Sequence, residues 1–203
     1  MIRIIFVRHG QTAWNDLGLY QGHTDVPLDK AGLEQAFKAA QRLKSEKLSA
    51  IYSSDLLRAK QTAEIIAAEH NLPVTPMAEF REINFGVWEG KTYKEINELY
   101  PQLLQTWLSE PENLKIPEGE TFSEMLNRVW KGLKNILAKH QDETVILVAH
   151  GGTIGALICN ILEIKLINLW RIKQGNTGIT IIEFYQEKGI LTLFNDTHHL
   201  QIS

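Results

Sequence analysis

The sequence predicts an α/β fold with a largely parallel sheet, because short apolar strands alternate with helical segments along its 203 residues. The predicted strands are Arg3–Val7, Ala50–Ser53, Pro73–Thr75, Thr144–Ala149, Gly178–Tyr185 and Ile190–Asn195. The central strands are continuously apolar, which is typical of strands covered by helices on both faces. The segment Gln186-Glu187-Lys188-Gly189 predicts a hairpin turn, so the sheet should end in an antiparallel edge.

Four helical segments accompany these strands. The first carries apolar side chains at helical spacing, at Leu33, Ala36, Phe37, Ala40 and Leu43. The second should run from about Leu56 to His70. The third opens on the capping box Thr121-Phe122-Ser123-Glu124, and the fourth follows Gly152. Polar caps are predicted for the first two helices, at Asp29 and at Ser54 or Asp55.

Residues 84–119 interrupt this alternation, since they hold three prolines and several aromatic side chains: Phe85, Trp88, Tyr93, Tyr100 and Trp107. The stretch is too short for a separate domain. We interpret it as short helices and loops that form a cap over the active-site edge of the sheet; simple packing of the aromatic side chains against the core is the alternative. The chain is therefore predicted to form a single domain over residues 1–203.

Composition restricts the partners and the compartment. A net charge of −3 disfavours a nucleic-acid surface, which needs a basic face. The single Cys159 excludes an internal disulfide framework and fits a reducing compartment. Arg3 interrupts the start of the chain, so no signal peptide is expected, and no apolar run approaches the ~18 residues of a membrane span. We expect a cytoplasmic monomer or homodimer that binds neither nucleic acid nor membrane.

The phrase His-Gly-x-Thr follows a predicted strand twice, at residues 9–12 and 150–153. Ligands of open parallel sheets bind outside the carboxyl ends of the strands, where glycine turns let the backbone come close. His9 and His150 are therefore expected to meet at one crevice. Arg8 beside His9 favours an anion over a cation, and Gly10 lets backbone N–H groups face a phosphate.

Two further candidates follow other predicted strands. Arg58 lies one turn inside the second helix, where it can point back toward the crevice of His9; a solvated helix arginine is the alternative. Glu82 has apolar neighbours, a setting in which a carboxyl group can serve as general acid. A surface carboxylate paired with Arg81 is the competing interpretation.

Two histidines, two arginines and one carboxylic acid fit a phosphate monoester best. The arginines would clamp the phosphoryl oxygens and neutralise their charge. One imidazole would attack phosphorus in line and become phosphohistidine, which divides a difficult displacement into two steps. The carboxylic acid would protonate the leaving alkoxide and then accept a proton from water, while the other histidine donates to the equatorial oxygens.

A metal site is a competing interpretation. Its ligands would come from His9, His23, Asp25, His150 and the His198-His199 pair. Their spacing matches no ligand signature, so no metal and no other cofactor is expected. The His198-His199 pair is interpreted as a surface pair and Cys159 as a core residue. A Gly-x-Ser-x-Gly nucleophile elbow does not occur in the sequence.

These motifs resemble those of the histidine phosphatase superfamily, in its phosphoglycerate-mutase-like branch. Residues 8–12 resemble its Arg-His-Gly-Glu-Thr signature, with Gln11 in place of the usual Glu, a change that we expect to be tolerated. Further matching blocks, over essentially the whole chain, are Trp14-Asn15, Gln21-Gly22, Thr24–Leu28 with Gly32, Ser53–Ala59, Glu82 and His150-Gly151. The resemblance implies a three-layer α/β/α sandwich and a reaction that needs no metal.

The resemblance also implies a role for each residue of the site. His9 would be the nucleophile, Glu82 the proton donor and acceptor, and His150 the stabiliser of the transition state. The phosphate would be held by Arg8, Asn15, Gln21, Gly22, Arg58 and Gly151.

Within this family the sequence favours a phosphatase over a mutase. Residues 86–119, which correspond to a longer basic insertion of the mutases, are short, aromatic and acidic, so a doubly anionic substrate would be poorly held. The segments Arg81–Gly90 and Asn195–Leu200 resemble α-ribazole phosphatases of cobalamin nucleotide-loop assembly. The predicted substrate is a small-molecule phosphate monoester, most specifically α-ribazole 5′-phosphate. The alternatives are a broad-specificity or phosphoserine phosphatase, then a phosphoglycerate mutase, and last a phosphate-binding module without turnover.

Overall fold

In the computed structural model, which describes residues 1–112, 114–186 and 188–201, six strands form one sheet in the order β3-β2-β4-β1-β5-β6. The strands are β1 (Ile2–Arg8), β2 (Ala50–Ser53), β3 (Val74–Pro76), β4 (Thr144–Ala149), β5 (Ile179–Tyr185) and β6 (Lys188–Asp196). Strands β1 to β4 are parallel, whereas β5 and β6 are antiparallel, which confirms the predicted edge. Glu187 of the predicted hairpin turn lies outside the described residues.

Helices cover both faces of the sheet. They are α1 (Ala13–Asp16), α2 (Lys30–Leu43), α3 (Leu57–Ala68), α4 (Tyr93–Leu99), α5 (Pro101–Ser109), α6 (Phe122–Lys139) and α7 (Gly151–Ile161). Alternate residues of the central strands face opposite sides, as the period of two requires. Ile5, Val7 and Val148 share a buried cluster with α2 and α3, and Phe6 and Leu147 share another with α6 and α7. The result is the expected α/β/α sandwich.

The buried face of α2 differs from the prediction. Asp29 caps the helix as predicted, and its carboxylate accepts the Gly32 N–H at 2.7 Å. Leu33 and Phe37, however, are 41% and 60% exposed. Ala36, Ala40 and Leu43 are buried as predicted, and the small residues Gly32 and Ala39 complete the packed face in place of the two large side chains. This close packing brings the loop after β1 against the helix, and a Cβ atom on Gly32 would overlap the Gln11 backbone.

The predicted side-chain cap of α3 is wrong. The N-cap residue is Leu56, which offers no side-chain acceptor. The first N–H of the helix, that of Leu57, donates to the Asp25 carboxylate at 2.7 Å, an acceptor from a distant loop. Asp55 pairs instead with Arg81, at 2.7 Å to Nε and 2.6 Å to an Nη. This bidentate pair connects the end of β2 to the segment that carries Glu82.

Residues 84–119 contain α4, α5 and a 3₁₀ turn at Gly86–Trp88. Trp88 and Trp107 are buried in the cluster that also contains α6 and α7, so core packing accounts for these two aromatic side chains. The assignment of residues 84–119 as a cap over the active site stays a prediction. Among the described residues, no helix is both long enough and apolar enough to span a bilayer.

The predictions for Cys159 and for the His198-His199 pair have different outcomes. Cys159 is buried, as predicted for a core residue. The interpretation of His198-His199 as a surface pair is wrong for His199, which is buried and lies 3.1 Å from the Thr177 hydroxyl. The 3₁₀ turn His198–Leu200 folds this side chain inward.

Candidate active site

The two histidines of the repeated phrase lie side by side. β1 and β4 are neighbouring parallel strands in which Arg8 is opposite Ala149, so each strand delivers the next residue to the same edge. The ring centroids of His9 and His150 are 5.1 Å apart, with an angle of 60° between the ring planes. The structure therefore brings together the two residues that the sequence predicts to meet.

The tautomer of His9 follows from its neighbour. Nδ1 lies 2.7 Å from the carbonyl oxygen of Gly10, which can only accept, so Nδ1 carries the proton. In the neutral ring Nε2 is then the nitrogen with the free lone pair. Burial, followed by the charges of Arg58 and Arg8, holds the pKa of His9 well below 6.5. A neutral imidazole with a defined Nε2 lone pair is the form that can attack phosphorus.

His150 is buried and its ring is held differently. It is the N-cap residue of α7, and neither ring nitrogen has a hydrogen-bond partner among the residues that the structure describes. Burial, then the nearby charge of Arg58 and the ring of His9, lowers its pKa well below 6.5. Buried polar atoms are nearly always hydrogen-bonded in folded proteins, so two unbonded nitrogens indicate a place for a ligand.

Arg58 is fully buried, so the alternative of a solvated helix arginine is wrong. Its guanidinium donates to the carbonyl oxygens of Gly22, at 2.7 Å, and Thr24, at 3.0 Å. Burial lowers the pKa of Arg58 to about 10, which leaves the group charged at neutral pH. Arg8 donates to the Gln174 carbonyl at 2.6 Å. Within the described residues, the Nε atoms of both arginines are buried and have no acceptor, as expected of groups that bind an anion.

The carboxylate of Glu82 lies at the N-terminus of α7. It accepts the backbone N–H of Gly152 at 2.9 Å, of Thr153 at 3.1 Å and of Ile83 at 3.0 Å. The expected apolar setting is therefore wrong for the carboxylate, and so is the competing pair with Arg81, which binds Asp55. A helix N-terminus favours a negatively charged group, and this one places Glu82 beside the helix that His150 caps.

The remaining residues predicted to bind phosphate lie between β1 and α2. The Gln21 side-chain amide donates to the Thr12 hydroxyl at 2.6 Å, while its Oε1 has no partner among the described residues. Asn15 forms a capping box with Thr12 at the start of α1. Gly22 has a φ of +46°, and its carbonyl is one of the two acceptors of Arg58. Gly22 thus positions Arg58 through its carbonyl, while contact of Asn15, Gln21 and Gly22 with the phosphate stays a prediction.

Gln11, where the family has Glu, is turned toward α2. Its side-chain amide donates to the Asp29 carboxylate at 3.2 Å, and Asp29 is the cap of that helix. A glutamate at this position would place a second negative charge against Asp29. Gln11, which departs from the family signature, is therefore compatible with the neighbouring Asp29 carboxylate.

Sequence reasoning missed three residues around the site. Asn176 donates to the His9 carbonyl at 3.1 Å and to the Asn15 side chain at 3.2 Å. The Gln174 carbonyl holds Arg8. Arg128, on α6, donates to the carbonyl oxygens of Arg81 and Glu82, each at 2.7 Å. None of the three directly follows a predicted strand, so the rule used to find the other site residues does not select them. For Asn176 and Gln174, the turn-forming composition of Gln174–Thr177 is the feature of the sequence that could have indicated a loop at the site.

A cavity of ≈ 290 Å³ lies beside Arg8 and Glu82. Its lining residues are Arg8, Glu82, Gly151, Gly152, Leu169, Trp170, Ile172, Lys173 and Gln174. Arg8 ends β1, Glu82 lies in the segment between β3 and α4, and Gly151 and Gly152 begin α7. The other lining residues follow α7 in the chain. Among the described residues, no cluster of three His, Cys, Asp or Glu side chains is placed to hold a metal ion.

Comparison with known proteins agrees with this geometry. The profile of the histidine phosphatase superfamily (branch 1) matches residues 4–197. Phosphoserine phosphatase 1 of Hydrogenobacter thermophilus is 34% identical over 98% of this chain and 95% of its own length. The metal-independent phosphoserine phosphatase of Arabidopsis thaliana is 36% identical, over 97% of this chain and 82% of its own.

Solved structures show the same relationship. Bacillus stearothermophilus YhfR superposes with a TM-score of 0.93 at 31% identity, covering 98% of this chain and 100% of that one. The α-ribazole phosphatase of Shigella flexneri gives a TM-score of 0.88 at 25% identity, covering 96% of each chain. The chain belongs to the histidine phosphatase superfamily, and it is a phosphoric monoester hydrolase.

Proposed function

We propose that the protein hydrolyses small phosphate monoesters through a phosphohistidine formed on Nε2 of His9. The observation that carries this proposal is the hydrogen bond from Nδ1 of His9 to the Gly10 carbonyl, because it fixes which nitrogen is nucleophilic. The guanidinium groups of Arg8, which is half-buried, and of Arg58, which is fully buried, supply the positive charge that the phosphoryl oxygens need.

The reaction then has two halves. In the first, Nε2 of His9 bonds to phosphorus as the bond to the leaving oxygen breaks, and protonated Glu82 gives its proton to that oxygen. In the second, Glu82 as carboxylate takes a proton from water, which attacks phosphorus and releases His9 and phosphate. His150 donates to the equatorial oxygens through one of its unbonded nitrogens, and the two arginines hold the same group.

Two substrates are favoured by separate observations. α-Ribazole 5′-phosphate is supported by the motif at Arg81–Gly90 and by the fold similarity to α-ribazole phosphatases at 25% identity. Phosphoserine is supported by relatives of higher identity, 34% and 36% over almost the whole chain. Lys173 lines the cavity, and its positive charge suits the carboxylate of phosphoserine.

Hydrolysis of p-nitrophenyl phosphate in excess chelator tests the reaction class. We expect full activity with the chelator and a loss of at least about 10³-fold in kcat in the His9→Ala variant. Activity that disappears with the chelator and returns with zinc would contradict the proposal. The ratio of kcat/KM for α-ribazole 5′-phosphate to that for phosphoserine, measured with the unmodified protein, decides between the two substrates.

A further inference from the structure

The cavity beside Arg8 and Glu82 has one aromatic lining residue among those that the structure describes. This residue is Trp170, in the 3₁₀ turn Leu166–Arg171, and it is 44% exposed. Its ring contacts two buried rings, with centroid distances of 5.6 Å to Trp107 and 5.6 Å to Phe122. A large, partly exposed aromatic side chain is therefore present at the site.

The orientation of this ring is set by the core. Trp107 and Phe122 lie 4.5 Å apart, and Trp107 also contacts Trp88 and Phe85. These partners come from α5, from the first turn of α6 and from residues 84–88. A ring fixed in this way loses little conformational entropy when a ligand stacks on it, so its contact area contributes efficiently to binding.

The cavity lining combines two kinds of residue. Arg8, Glu82 and the first residues of α7 belong to the groups among which the phosphoryl group is proposed to react. Leu169, Trp170 and Ile172 are apolar, and Lys173 and Gln174 are the polar residues beside them in the chain. The leaving group is joined to phosphorus through one oxygen, so it must lie next to the phosphoryl group, where the apolar lining residues can contact it. A volume of ≈ 290 Å³ is enough for one fused ring system of modest size.

We propose that Trp170 determines specificity by stacking on a flat aromatic ring in the leaving group of the substrate. This inference rests on the proposed function, since it takes the phosphoryl group to be bound by Arg8 and Arg58. The preferred substrates are then monoesters of alcohols that carry an aromatic ring within reach of the ester oxygen. Recognition of a charged leaving group by Lys173 alone is the competing possibility, and the test separates the two.

The test compares 2-phenylethyl phosphate with 2-cyclohexylethyl phosphate. Both release a primary alcohol of similar acidity and carry a single ring of the same number of carbons, so the ratio of the two kcat/KM values reports the aromatic character of the ring. Aromatic stacking of about 1 to 3 kcal/mol corresponds to a preference of roughly 5- to 150-fold for the phenyl ester. We expect that preference in the unmodified protein, a smaller one in Trp170→Phe and a ratio near one in Trp170→Leu.

A matched control is Trp130→Leu, the same substitution on α6 away from the cavity, which should keep the preference. Equal kcat/KM for the two esters in the unmodified protein, or an unchanged ratio in Trp170→Leu, would overturn the proposal. The proposal would also be overturned if Lys173→Gln lost the preference for the aromatic ester while Trp170→Leu kept it. Phosphoenzyme formed on His9 from p-nitrophenyl phosphate tests the proposed function separately, because that result does not depend on Trp170.

Discussion

Residues 9–12 and 150–153 share the phrase His-Gly-x-Thr after a buried parallel strand, but the structure uses the two segments differently. In the first segment Thr12 caps α1 and accepts the Asn15 N–H at 3.2 Å, while the Gly10 N–H donates to the Thr62 hydroxyl at 3.1 Å. In the second, α7 begins directly after His150, and its first N–H groups donate to Glu82.

The two segments therefore have different structural roles, although their sequences are similar. In the first segment the backbone N–H groups of residues 10–12 donate to the side chains of Thr62, Gln35 and Asn15. The Gly10 carbonyl fixes the ring of His9 through Nδ1. The second leaves a helix N-terminus available for a carboxylate from a distant part of the chain, and it leaves both nitrogens of His150 unbonded to the described residues. The first segment is therefore suited to hold a nucleophile, and the second to assemble the acid and the transition-state donor.

The largest expected effect comes from exchanging each histidine for alanine. His9→Ala should lower kcat by at least about 10³-fold because the nucleophile is lost. His150→Ala should lower it by roughly 10²- to 10³-fold, because one donor to the developing charge is lost while the two-step route remains. Steady-state rates with p-nitrophenyl phosphate measure both. A His150→Ala variant as inactive as His9→Ala would remove the proposed asymmetry.

The next effect tests the carboxylate that the second segment holds. Glu82→Gln keeps the acceptor oxygen for the α7 backbone but cannot protonate a leaving group. We expect phosphoserine-type alkyl esters to lose roughly 10²- to 10⁴-fold in kcat/KM. p-Nitrophenyl phosphate, whose leaving group needs no proton, should lose far less. An equal loss for both esters would mean that Glu82 does not act as the proton donor.

A smaller effect is expected from crowding the start of α7. A Cβ atom on Gly152 would lie 2.6 Å from a Glu82 carboxylate oxygen, so Gly152→Ala must displace that group. We expect kcat to fall about 10- to 100-fold, since misplacement of a catalytic group is costly. In Gly155→Ala, one turn further along the same helix, the new atom lies 3.5 Å from Leu169, an ordinary contact. Comparable losses of kcat in the two variants would contradict the positional argument.

The smallest effect is on stability as the pH changes. The folded-state pKa of His9 and of His150 is lowered by burial, so below about pH 6.5 the unfolded chain binds protons that the folded chain does not. The free energy of unfolding should therefore fall on acidification, by about 1.4 kcal/mol per pH unit for each histidine.

Urea unfolding between about pH 7 and about pH 5.5, in buffer without phosphate, measures this dependence. The His150→Gln variant has one fewer buried imidazole and should show a shallower fall than the unmodified protein. Parallel curves for the two proteins would show that His150 does not stay neutral in the fold.

The sheet and the meeting of the histidines were predictable because both depend on local patterns. Apolar runs mark the strands, and the carboxyl ends of parallel strands lie at one edge by geometry alone. The caps Asp29 and Thr121 were predictable for the same reason, since a polar cap lies next to the helix that it stabilises.

Contacts between distant segments were not predictable from such patterns. Arg58 is buried because the carbonyl oxygens of Gly22 and Thr24 accept from it, and nothing near Arg58 in the sequence indicates those partners. Asp55 has the spacing of a helix cap but pairs with Arg81. Arg128 looks like any helix arginine, although it holds two carbonyl oxygens of the segment that carries Glu82.

Trapping of the phosphorylated intermediate tests the central difference between the two segments most directly. The protein and its His9→Ala and His150→Ala variants would be mixed with a radiolabelled phosphate monoester, quenched in alkali and digested for peptide mapping. We predict an acid-labile label on the peptide that contains His9, formed more slowly in His150→Ala and not at all in His9→Ala. Label on the peptide of His150, or label retained in His9→Ala, would contradict the account.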